Sequence, residues 1–149
     1  MLTELFEQFV KERKYLKNVT PKTIIYYNNS WDSFRRMVPI ENTDQLSRLL
    51  LNEYVVNLRE SGIKPVSCNT YISGINAFLN WLHEGGHIRE GLTIKKLKVE
   101  QQVVKTIEED ALKAILTFKP KTFGEYRVHA LLCLLLDTGI RIEEALTST

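Results

Sequence analysis

Apolar residues recur at helical spacing along most of the chain, and each run is bounded by residues that start or stop helices. The first run comprises Leu2, Leu5, Phe6, Phe9 and Val10. These positions share one side of a helix with 3.6 residues per turn, which predicts an amphipathic helix over residues 3–16. No stretch shows the apolar–polar alternation that is typical of a β-strand. The pattern therefore predicts an all-α fold.

Proline and glycine divide the following sequence into three more helices. Thr20 followed by Pro21 predicts the start of the second helix, and Pro39 predicts its end. Thr43 or Asp44 predicts the start of the third. The other boundary signals are Gly62 after the third helix, Pro65 and Ser67 before the fourth, and Gly85 and Gly86 after it. Short links between four helices predict a compact bundle, and we assign it to a first domain, residues 1–87.

Residues 88–105 differ from the helical segments in composition and in hydrophobic pattern. Lys95, Lys96 and Lys98 are interspersed with apolar residues, and no helical period is present. A change of composition between two helical regions is typical of a domain boundary. We interpret this segment as an extended, basic interdomain connector.

Helical signals return after the connector. Thr106 and Glu109 have the spacing of a capping box, which predicts the start of a fifth helix. A sixth is predicted from about Gly124 to Asp137. The last residues carry no helix-stop signal, so we expect residues 106–149 to be the incomplete first part of a second domain.

Composition restricts the class of protein. A hydrophobic content of 44% and a charged content of 26% are typical of a soluble globular chain. The longest apolar run, residues 130–136, is too short to span a bilayer, and no basic-then-apolar leader is present. Cys68 and Cys133 lie in helical apolar patterns, which favours buried free thiols over a disulfide. We therefore expect a cytoplasmic protein without membrane association.

Positive charge is concentrated in the first part of the chain. Residues 1–98 carry 14 Lys and Arg against 10 Asp and Glu, whereas residues 99–149 carry 6 against 8. A basic first part favours a polyanionic partner for that part of the chain.

A charged motif stands near the end, where an apolar helix runs into Thr138-Gly139. Gly139 permits a backbone break, and Thr138 or Asp137 can cap the helix that follows. Glu144 lies three residues after Arg141, on the same helix face, where it can orient the guanidinium. Two interpretations are open: a solvated Arg–Glu pair of little energetic value, or an arginine held to bind an anion. Spacing alone favours the first.

The sequence of this motif, Thr138-Gly139-Ile140-Arg141-Ile142-Glu143-Glu144, resembles the T-G-x-R-x-x-E motif of the tyrosine recombinase (phage integrase) family. Two helices extend the resemblance over essentially the whole chain. The second helix carries the family's Thr, Tyr, bulky residue and Phe as Thr23, Tyr27, Trp31 and Phe34. The fourth, residues 67–82, is similar in its small and apolar residues and in its terminal glycine. The resemblance implies a SAM-like core-binding bundle followed by the first helices of an α+β catalytic domain.

The resemblance also implies a function. Family members cleave and rejoin DNA strands, and Arg141 would bind the scissile phosphate with Glu144 in support. The family's lysine, His-x-x-Arg motif and nucleophilic tyrosine follow the arginine motif, so we expect this chain alone to be inactive and its longer parent to be a recombinase. The implied partner is double-stranded DNA, with self-association on DNA in the parent and no cofactor. The alternatives are a stand-alone helical DNA-binding regulator and a helical protein-interaction adaptor.

The candidate DNA contacts lie on the polar sides of the second and fourth helices and in the connector, because an α-helix fits the DNA major groove. They are Lys22, Tyr26, Asn29, Arg35, Lys64, Ser67, Asn69, Thr70, Ser73, Asn76, Lys95, Lys96 and Lys98. Asn69 and Asn76 are also candidates to read adenine edges. For any single residue a solvated polar face is the simpler interpretation, whereas the set as a whole favours DNA.

Two features of the sequence depart from those of the family. Tyr71 stands where many relatives carry Arg, and Glu90-Gly91 stands where many carry Asn-Pro.

His83 and His87 fit the H-E-x-x-H pattern of zinc proteases, which requires both histidines on one continuous helix. Gly85-Gly86 predicts a helix stop between them, so we expect no metal site.

Overall fold

A computed structural model of the chain describes residues 1–100 and 105–147. It forms two compact units, Met1–Glu100 and Gln101–Thr149. The helices of the first unit are α1 Leu2–Tyr15, α2 Pro21–Met37, α3 Arg48–Glu60 and α4 Pro65–Glu84; those of the second are α5 Glu109–Thr117, α6 Phe123–Thr138 and α7 Ile142–Thr147. Within the described residues there is no strand, so the predicted all-α class is confirmed. None of the helices in these two ranges has the length and apolarity needed to cross a bilayer.

The start of α2 follows its sequence signal, whereas the start of α3 does not. Thr20 accepts a hydrogen bond from the Thr23 N–H, at 3.3 Å, and Pro21 is the first residue of α2. The expected start of α3 at Thr43 or Asp44 is wrong. Those residues form a short 3-10 turn, because the Gln45 side chain accepts hydrogen bonds from the backbone of the two residues before the turn. Ser47 caps α3 instead.

The core of the first unit is a cluster of aromatic rings around α2. Phe6 stacks on Trp31 with ring centroids 4.7 Å apart and meets Phe78 edge-on at 5.2 Å. Tyr54 of α3 packs against Phe34 at 5.0 Å, and burial raises the pKa of Tyr54 to about 12. Rings in tilted and edge-on pairs add stabilisation beyond the area that they bury. Because α2 and α4 each contact the other three helices, this pair forms the centre of the bundle.

Residues 88–100 belong to the first unit. The two compact units divide after Glu100. Leu92 and Ile94 are 7% and 3% exposed and belong to the same core as the aromatic cluster. The part of the expected connector before residue 101 is therefore packed on the bundle; residues 101–104 lie outside the described residues.

The second unit has a different start for α5 from the one that the sequence signal predicts. Helix α5 begins at Glu109, with Glu108 at its N-cap and no side-chain cap, so the capping box expected from Thr106 is wrong. A capping box does open α6, where Thr122 and Glu125 bond each other's backbone. Hydrogen bonds from the Lys121 and Thr122 N–H groups hold the pKa of Glu125 below its usual value.

Apolar side chains of the second unit remain accessible to solvent. Among residues 105–147 none is buried, although α6 is rich in leucine. Leu134 is 46% exposed and Leu136 is 36% exposed. Cys133 is a half-buried free thiol, whereas Cys68 of the first unit is a buried one.

Candidate nucleic-acid interface

Helices α2 and α4 run side by side in the same direction and approach closely at Ser30 and Gly74. The Tyr26 hydroxyl meets the Thr70 carbonyl, and four residues further along both helices Ser30 meets Gly74. A Cβ atom at position 74 would overlap the Ser30 hydroxyl and lie 2.6 Å from its Cβ. The missing side chain therefore permits this close crossing.

A groove of about 400 Å³ lies between α2 and α4 on the N-terminal side of this crossing. It is lined by Lys22, Ile25, Tyr26, Asn29, Ser30, Ser67, Thr70 and Tyr71. Five of these are residues that the sequence suggests as DNA contacts: Lys22, Tyr26, Asn29, Ser67 and Thr70. The α2–α4 groove thus brings together candidates from two helices that are separated by about forty residues in the sequence.

The electrostatics of the α2–α4 groove favour an anion. None of the described residues that line it is acidic, and Lys22 contributes a positive charge. The first turns of α2 and α4 contain no acidic residue, and each helix begins with a proline. Since the helices are parallel, both positive dipole ends lie at the same end of the groove.

Tyr26 connects the two walls of the groove. Its hydroxyl donates a hydrogen bond to the Thr70 carbonyl at 3.0 Å. Burial raises the pKa of Tyr26, and a hydrogen bond with Ser73 partly opposes that shift. Burial thus disfavours the phenolate, and the neutral phenol donates across the groove as part of its wall.

Three more candidates lie outside the groove lining. Ser73, next to Tyr26, donates to the Asn69 carbonyl at 2.8 Å. Lys64 is the exposed N-cap residue of α4, and Arg35 is exposed in the last turn of α2. The structure thus brings Lys64 near the N-terminal end of α4 but puts Arg35 at the opposite end of α2 from the groove.

The structure gives Asn69 and Asn76 an internal role. The Asn69 amide donates to the Leu97 carbonyl at 2.8 Å, and its oxygen accepts from the Leu97 N–H at 2.7 Å. Asn76 bonds Ile94 in the same way, at 2.9 and 2.8 Å. Both carboxamides are turned to backbone rather than to a base edge, so we leave these two residues out of the DNA-contacting set.

The connector lysines have the accessibility that a phosphate contact needs. Lys95, Lys96 and Lys98 are all exposed, while Ile94, which directly precedes them, is buried. Their side chains therefore extend from a backbone segment that is anchored on the first unit.

Arg141 is held by Glu144 and is open to solvent. Gly139 ends α6 in the left-handed conformation, with φ of +64°, as its place after Thr138 suggests. Glu144 accepts from both the Arg141 backbone, at 3.2 Å, and its guanidinium, at 3.4 Å. Of the two expected capping residues, Thr138 accepts a hydrogen bond from the Ile140 N–H at 3.3 Å, whereas the Arg141 N–H, just before α7, is bonded by Glu144. The Arg141 side chain is 86% exposed, so the pair itself adds little stability.

The two histidines of the H-E-x-x-H pattern do not share a helix. Helix α4 ends at Glu84, so His83 is in its last turn and His87 lies beyond it. His87 stacks on Trp81, with ring centroids 5.2 Å apart. Within residues 1–100 and 105–147, no three His, Cys, Asp or Glu side chains are grouped in a way that could hold a metal ion.

The bundle that carries the α2–α4 groove matches a known family. Residues 6–86 match the model of the phage integrase N-terminal SAM-like domain. The chain belongs to the tyrosine recombinase (phage integrase) family. The matched segment includes every groove residue but ends before Leu92, before the connector lysines and before Arg141.

Curated relatives match over nearly the whole chain. The tyrosine recombinase XerC of Rickettsia canadensis (strain McKiel) is 27% identical over 164 residues, covering 99% of this chain and 54% of that protein. The XerC proteins of two Rickettsia bellii strains, OSU 85-389 and RML369-C, are each 26% identical with the same coverage. The chain therefore spans about half the length of the curated relatives it matches. No solved structure gives a significant match.

The sequence analysis does not single out some residues of this integrase-family bundle. Ile25 lines the groove but is an exposed apolar residue with no polar group to mark it as a contact. Tyr71, which stands where many relatives carry Arg, also lines the groove. Ser30 and Gly74, which bring the helices together, are four residues from Tyr26 and Thr70, and small residues at matching positions of two helices were the available signal.

Proposed function

We propose that the first unit binds double-stranded DNA and is the core-binding domain of a site-specific tyrosine recombinase. The observation that carries this proposal is the α2–α4 groove, which collects polar and basic side chains from two helices without an acidic residue in its lining. Membership of the integrase family and the name of the Rickettsia relatives support the same function.

The groove residues suit contacts with the phosphate backbone. Lys22 supplies charge in the first turn of α2, and Asn29 is an exposed hydrogen-bonding side chain in the middle of that helix. Ser67 and Thr70 are exposed hydrogen-bonding side chains in the first two turns of α4. Contacts of this kind fix the register of a protein on DNA. A helix of this bundle then has the dimensions to enter the major groove.

Arg141 and Glu144 extend the proposal to the longer recombinase. A guanidinium matches the paired oxygens of a phosphate, and Glu144 already orients Arg141 at 3.4 Å. In the parent protein Arg141 would stabilise the charge that develops on the scissile phosphate. We also propose that the parent self-associates on DNA and acts in the cytoplasm.

A charge introduced into the groove tests DNA binding. Thr70→Glu places a carboxylate in the groove, and we expect it to abolish binding of duplex DNA at low salt. The matched control is Asn80→Glu, which adds the same charge at an exposed position nearer the end of α4. The measurement is fluorescence anisotropy of a labelled duplex between 50 and 200 mM salt, a range over which DNA-binding proteins lose affinity by counterion release.

Lys22 gives a second, graded readout. Lys22→Ala should lower the slope of log affinity against log salt by about 0.9 if the lysine contacts one phosphate. Lys11→Ala on the exposed side of α1 is the control, with no expected change of slope. Absence of binding at low salt, or equal binding at low and high salt, would refute the proposal and favour a protein-interaction adaptor.

A further inference from the structure

Residues 92–98 form a strap that is attached to α4 at two points. Asn76 pairs with both backbone groups of Ile94, and Asn69 pairs with both backbone groups of Leu97, through four hydrogen bonds of 2.7–2.9 Å. Leu92 and Ile94 anchor the same segment in the core. The strap thus has polar attachment on one helix and apolar attachment in the bundle.

The spacing of the attachment points fits the geometry of the two elements. Asn69 and Asn76 are seven residues apart, which returns to the same face of a helix after a rise of about 10.5 Å. Ile94 and Leu97 are three residues apart, which spans about 10 Å of extended chain. The two asparagines are therefore about as far apart along α4 as the two residues that they bind are along the strap. The order of the pairs shows that the strap runs antiparallel to α4.

The direction of the strap decides where its lysines lie. Leu97 is bonded to Asn69, in the second turn of α4, while Ile94 is bonded further along the helix. Lys98 therefore follows the attachment nearer the N-terminal end of α4, the end where the α2–α4 groove opens. Lys95 and Lys96 lie between the two attachment points, and all three lysines are exposed.

We propose that Asn69 and Asn76 are positioning residues that hold the strap so that Lys95, Lys96 and Lys98 form a fixed cationic edge for DNA phosphates. This inference rests on the proposed DNA binding of the first unit. A segment that is already held loses less conformational freedom when it binds. The DNA-binding element then extends past residue 86, where the match to the integrase domain ends, to Lys98.

The attachment is tested first without DNA. In the double variant Asn69→Ala, Asn76→Ala the amides of Ile94 and Leu97 lose their acceptors, and we expect hydrogen exchange at these two amides to become at least tenfold faster. Asn80→Ala on the same helix is the matched control, with unchanged exchange at both amides. Unchanged exchange in the double variant would overturn the inference.

The salt dependence of DNA binding tests the positioning. Replacing Lys95, Lys96 and Lys98 by Ala should lower the salt slope by about 2.7, at about 0.9 for each phosphate contact. The double Asn variant should lower it by a similar amount although it removes no charge. Combining the three Lys→Ala and the two Asn→Ala substitutions should lower the salt slope no further, because the lysines of a released strap no longer contact phosphates at fixed positions.

A second variant leaves α4 intact in case the double Asn variant does not fold. Leu97→Pro removes the N–H that donates to Asn69. It loosens the strap at the attachment nearer Lys98, so it should lower the salt slope by part of the decrease seen in the double variant. A salt slope that stays at the wild-type value in a folded Leu97→Pro or double Asn variant would overturn the positioning role of the strap. If Thr70→Glu abolishes binding in the same experiment, the proposed DNA binding by the groove would still stand. If the wild-type chain itself does not bind DNA, the proposed function is refuted, and the inference about the strap fails with it.

Discussion

At position 74 a single missing side chain decides how closely two helices pack. Gly74 lies against Ser30, where a Cβ atom would meet a hydroxyl and a Cβ that belong to a short, inflexible side chain. Overpacking of this kind costs about 1–3 kcal/mol, whereas Gly→Ala within a helix otherwise gains about 1 kcal/mol. The steric cost outweighs the gain because neither helix can move without disturbing the aromatic core.

We therefore expect Gly74→Ala to lower the free energy of unfolding of the first unit by up to about 2 kcal/mol. Urea unfolding followed by circular dichroism measures this change. Gly124→Ala is the control, since a Cβ there would meet nothing within 4 Å and no loss is expected. Adding Ser30→Gly should make Gly74→Ala less costly, through a coupling free energy between the two sites. If the two substitutions are simply additive, the close crossing is not the cause.

At the scale of helices, α4 and α6 differ in how many of their residues are buried. Helix α4 buries seven residues, among them Ile72, Phe78 and Leu82, whereas none of the described residues of α6 is buried. Local stability follows the number of buried apolar contacts. We expect amides in the middle of α6 to exchange at least a hundredfold faster than those in the middle of α4, as measured by hydrogen exchange with mass spectrometry. Equal protection of the two helices would show that α6 is covered in solution.

The same comparison of elements shows what sequence can predict. Local signals were sufficient for α2, because Thr20 and Pro21 act on their own helix, and for the break at Gly139. They failed for α3, because Gln45 bonds the backbone before Thr43 and holds those residues in a short 3-10 turn. They also failed for α5, which begins at Glu109 without a side-chain cap. The sequence pattern indicates an extended, basic connector and does not show its attachment to α4, because its partners, Asn69 and Asn76, lie more than fifteen residues away in sequence. Long-range pairing of that kind leaves no periodic pattern along the chain.

For the whole molecule, phosphate recognition and strand cleavage are separable. Arg141 can bind a phosphate, but cleavage also needs a nucleophile and a general acid within hydrogen-bond reach. In the second unit Tyr126 is in the first turn of α6 and Arg141 follows its last turn, so about 18 Å of helix separates them. In the first unit burial raises the pKa of Tyr26 and of Tyr54, which opposes formation of the phenolate.

We expect these 149 residues to bind DNA but to form no covalent adduct with it. The test is incubation with a nicked duplex that traps the cleaved intermediate, followed by denaturing electrophoresis. Arg141→Ala and Tyr126→Phe should both behave like the unchanged chain, because neither residue has a catalytic partner in the described structure. A covalent protein–DNA band that disappears with Tyr126→Phe would contradict this and would make Tyr126 the nucleophile. A band that appears only after addition of the remaining half of a recombinase, and is lost with Arg141→Ala, would place Arg141 in a catalytic site that both halves complete.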